Sequence, residues 1–350
     1  MLTRSRLLLS VAVLAAVTSA ALGADRAADG AFPEDYLYSF QPLPEVFESV
    51  ANPVTPEKVA LGRVLYFDPR LSKNHDVACS SCHDLEAFGV DGKSLSLGHR
   101  NQKGTRNSPT VYNAAIHVAQ FWDGRSPDVE DQSKQPILNP VEMAMPDEER
   151  VVATLRSMPA YVDLFEQAFP GQTPALTYDT MALAIGAFER GLVTKDPFDS
   201  FLRGKPEALS AEQRRGFERY VALGCASCHN GPALGGGTYE VMGFIEPYPD
   251  SSDLGLFELT KAEEDRMRFK VPGLRNIAKT APYFHDGAIR ELAEAVRLMA
   301  KHQLGIELGE DEEQAILVFL DNLTGELPMD YIAKPPLPEK TDATPRPIPE

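Results

Sequence analysis

Apolar residues recur at helical spacing along much of the chain, and no stretch stands out for the strict alternation of a strand, which predicts a mainly α protein. Pro56 to Phe67 reads as a short amphipathic helix with Val59, Leu61, Val64 and Leu65 on its apolar side. Val151, Val152, Leu155, Val162, Leu164 and Phe165 predict helix from Asp147 to about Phe169, followed by another from Tyr178 to about Val193. Ser210 and Gln213 stand in the capping-box relation, opening a helix that leads into Cys225. Two late patterns run from Ile289 to about His302 and from Asp311 to Leu323; in the first, Leu292, Val296 and Met299 share one face.

The intervening segments read as loops and arms. Residues 24–53 are rich in proline and acidic side chains, with Tyr36, Tyr38 and Phe40 scattered among them, and read as an extended arm. Six prolines in the 22 residues from Met329 onward preclude regular helix and predict an extended tail. Phe88 to Gly104 is a polar, glycine-punctuated loop of a length that is often functional. The segment holding Gln132, Glu142, Met143 and Met145 is broken by prolines.

The first 23 residues change the picture of location. Arg4 and Arg6 precede an apolar run from Leu7 to about Val17, and small residues follow through Gly23. That is the order of a cleaved signal peptide, with an uncleaved membrane anchor as the competing reading. Export to a periplasm-like compartment is the expectation. Loss of the two arginines takes the formal charge from −17 to −19, which argues against a nucleic-acid partner and would steer a basic soluble one. The remaining length suits two domains. The expected division is 24–192 for an N-terminal domain, joined by the tail 327–350, and 193–326 for a C-terminal domain.

Candidate chemistry lies in two pentads, Cys79-Ser80-Ser81-Cys82-His83 and Cys225-Ala226-Ser227-Cys228-His229, which use all four cysteines. C-x-x-C-H is the attachment signature of a c-type haem: the thiols become thioethers and the histidine is the proximal iron ligand. A four-cysteine zinc site or redox pairs share the local spacing. Against zinc, Cys79 and Cys225 stand 146 positions apart, and each pair is followed at once by a histidine that an all-cysteine site does not need.

One pentad per half suggests a repeated haem domain. Gly273-Leu274-Arg275-Asn276 echoes the G-x-R-N of Gly104 to Asn107, and Phe284-His285-Asp286-Gly287 echoes the F-x-D-G of Phe121 to Gly124. In that pairing Trp122 corresponds to His285. What fills the sixth iron position decides function, because methionine suits electron transfer and an exchangeable ligand permits chemistry. His99 is either a surface loop residue or the sixth ligand of the first haem. For the second haem, Met242, Met267 and Met299 all follow His229; Met299, on a helix face late in the domain, is the better placed, and is either a core methionine or the sixth ligand. Glu142 could carry a proton, as one acid among many.

The order of these motifs strongly resembles that of the bacterial dihaem cytochrome c peroxidases. The resemblance rests on Cys79 to His83, His99, Arg106 to Thr110, Phe121 to Arg125, Gln132, Glu142-Met143, Cys225 to His229, Phe269 to Asn276, Pro282 to Gly287 and Met299, and covers nearly all of the chain after residue 23. It implies two cytochrome c-like domains arising from a duplication. The first haem, on His83 with His99 as displaceable ligand, would be the low-potential peroxidatic centre. The second, on His229 and Met299, would be the high-potential centre that accepts electrons, with Trp122 on the route between them. Gln132 and Glu142 would line the peroxide pocket, Glu142 handling protons. The resemblance further implies a calcium ion held by the Asn107 side chain and the backbone carbonyls of Thr280 and Pro282, hydrogen peroxide as substrate, a small cytochrome c or cupredoxin as donor, and a possible homodimer. The alternatives are a dihaem enzyme that oxidises a protein substrate in quinone cofactor maturation, where tyrosine replaces the methionine ligand, and a dihaem electron carrier.

Overall fold

The structure is a computed structural model that describes residues 34–249 and 252–348; the signal-peptide expectation for residues 1–23 lies outside the described residues. Among the described residues twelve α-helical segments carry the fold: α1 Glu34–Leu37, α2 Pro56–Tyr66, α3 Val129–Leu138, α4 Glu148–Arg156, α5 Pro159–Ala168, α6 Tyr178–Glu189, α7 Pro197–Leu202, α8 Ala211–Ala222, α9 Phe257–Thr260, α10 Leu292–Met299, α11 Glu310–Asn322 and α12 Met329–Ile332. Two three-residue strands, β1 Tyr239–Val241 and β2 Arg268–Lys270, pair antiparallel with Tyr239 opposite Lys270. The mainly α expectation agrees with this architecture.

Three local expectations need correction. The tail from Met329 opens on one helical turn, α12, because its first proline is Pro335, and is extended only beyond it. The stretch from Asp147 to Phe169 is two helices, because proline has no N–H to donate and disfavours helical backbone before it, so the chain breaks at Met158 and restarts with Pro159 in the first turn. The proline-broken segment before it contains a helix, α3, which tolerates Pro136 near its C-terminal end. Asp128 caps that helix by accepting from the Asp131 N–H at 2.8 Å.

Both halves are built on one helix crossing. In the first, α2 meets α6 at Gly62, where a Cβ would stand 1.9 Å from the Ala184 carbonyl oxygen and 2.9 Å from the Phe188 Cβ. In the second, α8 meets α11 at Gly216, where a Cβ would stand 2.1 Å from the Ala315 carbonyl oxygen and 2.9 Å from the Phe319 Cβ. Hydrogen at these positions lets the backbones touch. The Tyr66 hydroxyl at the end of α2 donates to the His83 carbonyl at 2.8 Å, and the Tyr220 hydroxyl on α8 donates to the His229 carbonyl at 2.5 Å.

The same geometry corrects the register of the sequence echo. Asn113 and Asn276, not Asn107 and Asn276, are the matching residues. Both take left-handed backbone (φ 59° and 64°) at the head of a 3-10 turn, and both donate through Nδ2 to the Thr194 hydroxyl, at 2.9 and 2.8 Å. Phe121 and Phe284 follow at the same distance with φ 67° and 69°. The F-x-D-G echo therefore keeps its register. G-x-R-N was too short to distinguish a chance match from a conserved turn.

The arm and tail bind the halves. Phe40 packs in the second core against Phe198 and Phe217, with centroids at 5.9 and 5.1 Å. Farther along the arm, Asn52 reaches Glu130 and the Leu183 carbonyl in the first half, both at 2.8 Å. The tail lies on the first half: Tyr331 stacks on Phe188 at 5.2 Å, Arg70 donates to the Pro338 carbonyl at 2.7 Å, and the Ile348 N–H donates to the Lys73 carbonyl at 2.9 Å.

Candidate functional site

The two pentads fold alike. Cys79–Ser81 and Cys225–Ser227 are single 3-10 turns, and each histidine N–H closes the turn onto the first cysteine carbonyl at 3.0 Å. Each imidazole is pinned through Nδ1 to a backbone carbonyl, His83 to Gly89 at 3.2 Å and His229 to Pro272 at 3.1 Å. Such a bond fixes ring orientation and leaves Nε2 as the ligating nitrogen. Burial lowers the pKa of both rings, that of His229 to about 4, so each is neutral and able to bind a metal. Burial also pushes the Cys79 thiol up to about 12 and the Cys225 thiol up to about 11.

The four cysteines do not converge. Cys79 packs against the cluster around Tyr66 and Phe188, and Cys225 against the cluster around Phe217 and Phe319. Among the described residues no group of three or more His, Cys, Asp or Glu side chains could hold a metal ion, which sets aside a shared zinc site.

Above the second pentad is a deep, mainly apolar cavity. Cys225, Cys228, His229 and Met299 all line it. Met299 ends α10, which widens there into a π turn, Ala300–Leu304. A flat, largely apolar cofactor with thioether links, a histidine and a thioether ligand fits this donor set.

Around the first pentad, the loop after His83 brings in two of the expected residues. His99 is buried, its N–H donates to the Glu142 carbonyl at 2.7 Å, and its Nδ1 has no partner among the described residues. A buried imidazole nitrogen without a hydrogen-bond partner suits a ligand to iron. Arg100 and Asn101, which follow, both have φ near 57–58°, conformations costly for residues with a Cβ. Gly98 allows the approach: a Cβ there would stand 2.2 Å from the Val141 carbonyl oxygen.

Glu142 is buried enough that desolvation raises its pKa, against the opposing pull of Arg125 and a bond from Asn139 Nδ2 at 2.9 Å. Burial, with the charges of Asp91 and Glu142, raises the Cys82 thiol, against a hydrogen bond with Ser96. Gln132 sits half-buried on α3, and its side chain makes no hydrogen bond among the described residues. The structure thus joins His99 and Glu142 but does not tie Gln132 to them.

Trp122 lies between the halves. Its Nε1 donates to the Asn107 carbonyl at 2.9 Å, its carbonyl accepts from the Lys270 N–H at 2.8 Å, and its ring meets His285 edge-on at 6.4 Å. His285 stacks on Phe269 at 4.3 Å. Asn107, Thr280 and Pro282 share the wall of the second cavity. The Asn107 amide nitrogen donates to the Lys93 and Ser94 carbonyls at 3.0 and 3.3 Å, leaving Oδ1 as its acceptor. An oxygen donor set of this kind suits calcium.

Sequence reasoning missed three features here. Tyr66 and Tyr220 hold the pentad histidines, Arg106 joins Asp253 of the second half at 2.6 Å, and Lys270 pairs with His117 at 3.2 Å. The tyrosines were findable, because each lies near the end of the last α-helix before its pentad, Tyr66 on α2 and Tyr220 on α8.

Comparison with known proteins agrees with this geometry. Residues 56–207 match the family described as di-haem cytochrome c peroxidase. The chain is 45% identical over 315 residues to cytochrome c551 peroxidase of Pseudomonas aeruginosa, covering 88% of this chain and 90% of that protein. It is 34% identical over 290 residues to the methylamine utilization protein MauG of Methylorubrum extorquens, covering 79% and 80%. A solved MauG-like protein associated with microbial copper homeostasis superposes with a TM-score of 0.75 at 29% identity, covering 84% of this chain and 97% of that one.

Proposed function

The chain belongs to the di-haem cytochrome c peroxidase family, and from that premise we propose an exported enzyme that reduces hydrogen peroxide to two waters with two electrons and two protons. The observation that carries the reading is the buried His99, whose N–H donates to the Glu142 carbonyl and whose Nδ1 has no partner among the described residues, together with a second pentad whose cavity Met299 lines. Cys79, Cys82 and His83 would hold one c-type haem and Cys225, Cys228 and His229 another, and the haems would supply electron storage and redox chemistry. The paired helix crossings and matching asparagine turns support an origin by duplication, with the halves near 24–192 plus the tail and 193–326.

His99 closes the first site at rest and withdraws to admit peroxide. The two adjoining left-handed residues give its loop a strained conformation to leave. Glu142 accepts a proton from one peroxide oxygen and returns it to the other, which departs as water. Gln132 lines the same pocket. Trp122, in contact with both halves, lies on the electron route, and Met299 keeps the second site closed to substrate. Asn107, through Oδ1, and the carbonyls of Thr280 and Pro282 would hold a calcium ion, which would tie the two halves together. The donor is a small cytochrome c or cupredoxin, drawn to an acidic surface in the periplasm. No helix among the described residues is long and apolar enough to cross a membrane.

Met299 on the cavity wall favours this reading over quinone cofactor maturation, and the His99–Glu142 pair favours it over an electron carrier, which has no use for a peroxide pocket. The test is peroxide consumption by the half-reduced holoprotein with reduced cytochrome c. No turnover in a protein carrying both haems would favour the carrier. His99→Gly should turn the first haem high-spin in the diferric state; an unchanged low-spin spectrum would remove His99 as its ligand.

A further inference from the structure

Lys270 is an anomaly in the wall of the second cavity. It is buried, with 7% of its surface exposed. Among the described residues it is the one lysine or arginine lining that cavity, where the one carboxylate is Glu240. It forms no ion pair there with any Asp or Glu; its ammonium instead donates to His117 Nδ1 at 3.2 Å. Desolvation lowers its pKa to about 8, which still leaves it largely charged at neutral pH, and the same burial together with Lys270 keeps His117 neutral and accepting.

The pair is held from several sides. The Lys270 N–H donates to the Trp122 carbonyl at 2.8 Å, and its strand is in register with Tyr239. Two glycines clamp the His117 ring: a Cβ at Gly236 would stand 2.1 Å from Cδ2, and one at Gly273 would stand 3.1 Å from Nε2. Lys270 and Trp122 also line a smaller cavity beside His117. The other cation on its wall, Arg275, is committed to Asp196 and Asp199. A desolvated ammonium with one neutral neighbour is costly unless an anion joins it.

A haem brings two carboxylates, on the porphyrin edge away from the vinyl groups that the cysteines take. We propose that Lys270, oriented by His117, is the receiving cation for a propionate of the haem attached at Cys225 and Cys228. The inference rests on haem occupying that cavity and not on peroxide chemistry. Pairing there fixes the rotational setting of the haem beside Trp122. It also sets a positive charge on the wall of the haem cavity, which favours the reduced form.

The experiment uses the holoprotein with Lys270→Met, Lys270→Gln and Lys270→Arg. The readouts are resonance Raman bands of propionate bending and redox titration of both haems followed optically. In the Met and Gln variants the second haem's propionate bands should shift. Its reduction equilibrium constant should fall about tenfold, or about 59 mV for one electron. Arginine should restore both. If the Met variant does not retain both haems, Gln, which keeps a polar side chain, gives the same reading. Unchanged second-haem bands and potential in the Gln variant, or changes confined to the first haem, would overturn the proposal. A wild-type protein inactive toward peroxide leaves this test intact.

Discussion

Glu142→Gln is expected to keep both haems attached and to cut peroxide turnover by about 10²- to 10⁴-fold, the range that a positioned proton carrier supplies. Glutamine has the size of glutamate and can still engage Asn139, and the Glu142 carbonyl that accepts from His99 belongs to the backbone, so the loop that carries His99 is retained. What is lost is the ability to hold a proton and release it. Burial raises the carboxyl above the usual carboxylate range, and Arg125 opposes that rise. The group therefore stays protonated to a higher pH than an exposed glutamate, and the wild-type activity that depends on its ionised form should rise with pH through that raised pKa. The variant should lose that limb of the pH profile. Stopped-flow peroxide decay in the half-reduced protein checks both points. Normal turnover would mean that another group moves the proton.

Phe319→Ala should cost about 3–5 kcal/mol of stability, the range for emptying a buried phenylalanine site. Phe319 has no exposed surface and meets Phe198, Phe217 and Tyr220 with ring centroids at 5.3, 5.1 and 5.2 Å. It is also the residue whose Cβ sits beside Gly216 at the α8–α11 crossing. That crossing carries Tyr220, and through its hydroxyl the carbonyl of His229. Urea unfolding of the holoprotein should show the midpoint falling, with early loss of the second haem's native spectrum. A cost below about 1 kcal/mol would show that the core closes around the gap.

The chemistry was legible where it is local. Cys79 to His83 and Cys225 to His229 declare covalent haem attachment because two residues of spacing set two thiols on one turn and the next residue is the ligand. Helix positions followed from periodicity. The one long helix expected across Asp147 to Phe169 failed at a signal present in the chain, Pro159. Short echoes were less dependable: F-x-D-G survived because Phe121 and Phe284 share an unusual backbone conformation, whereas G-x-R-N matched residues that the fold does not equate.

Sequence by itself therefore determined what this protein carries: two haem turns, the helices that deliver them, and through the order of motifs its family. Tertiary structure decided which distant side chains meet. It set His99 on Glu142, His285 beside Trp122, and the Lys270 ammonium against His117, 153 positions away, on the wall of the second cavity. The reason is physical. A motif's geometry is imposed by the few bonds between its own residues, whereas a charge left without a counter-charge becomes visible only when folding has removed water from around it.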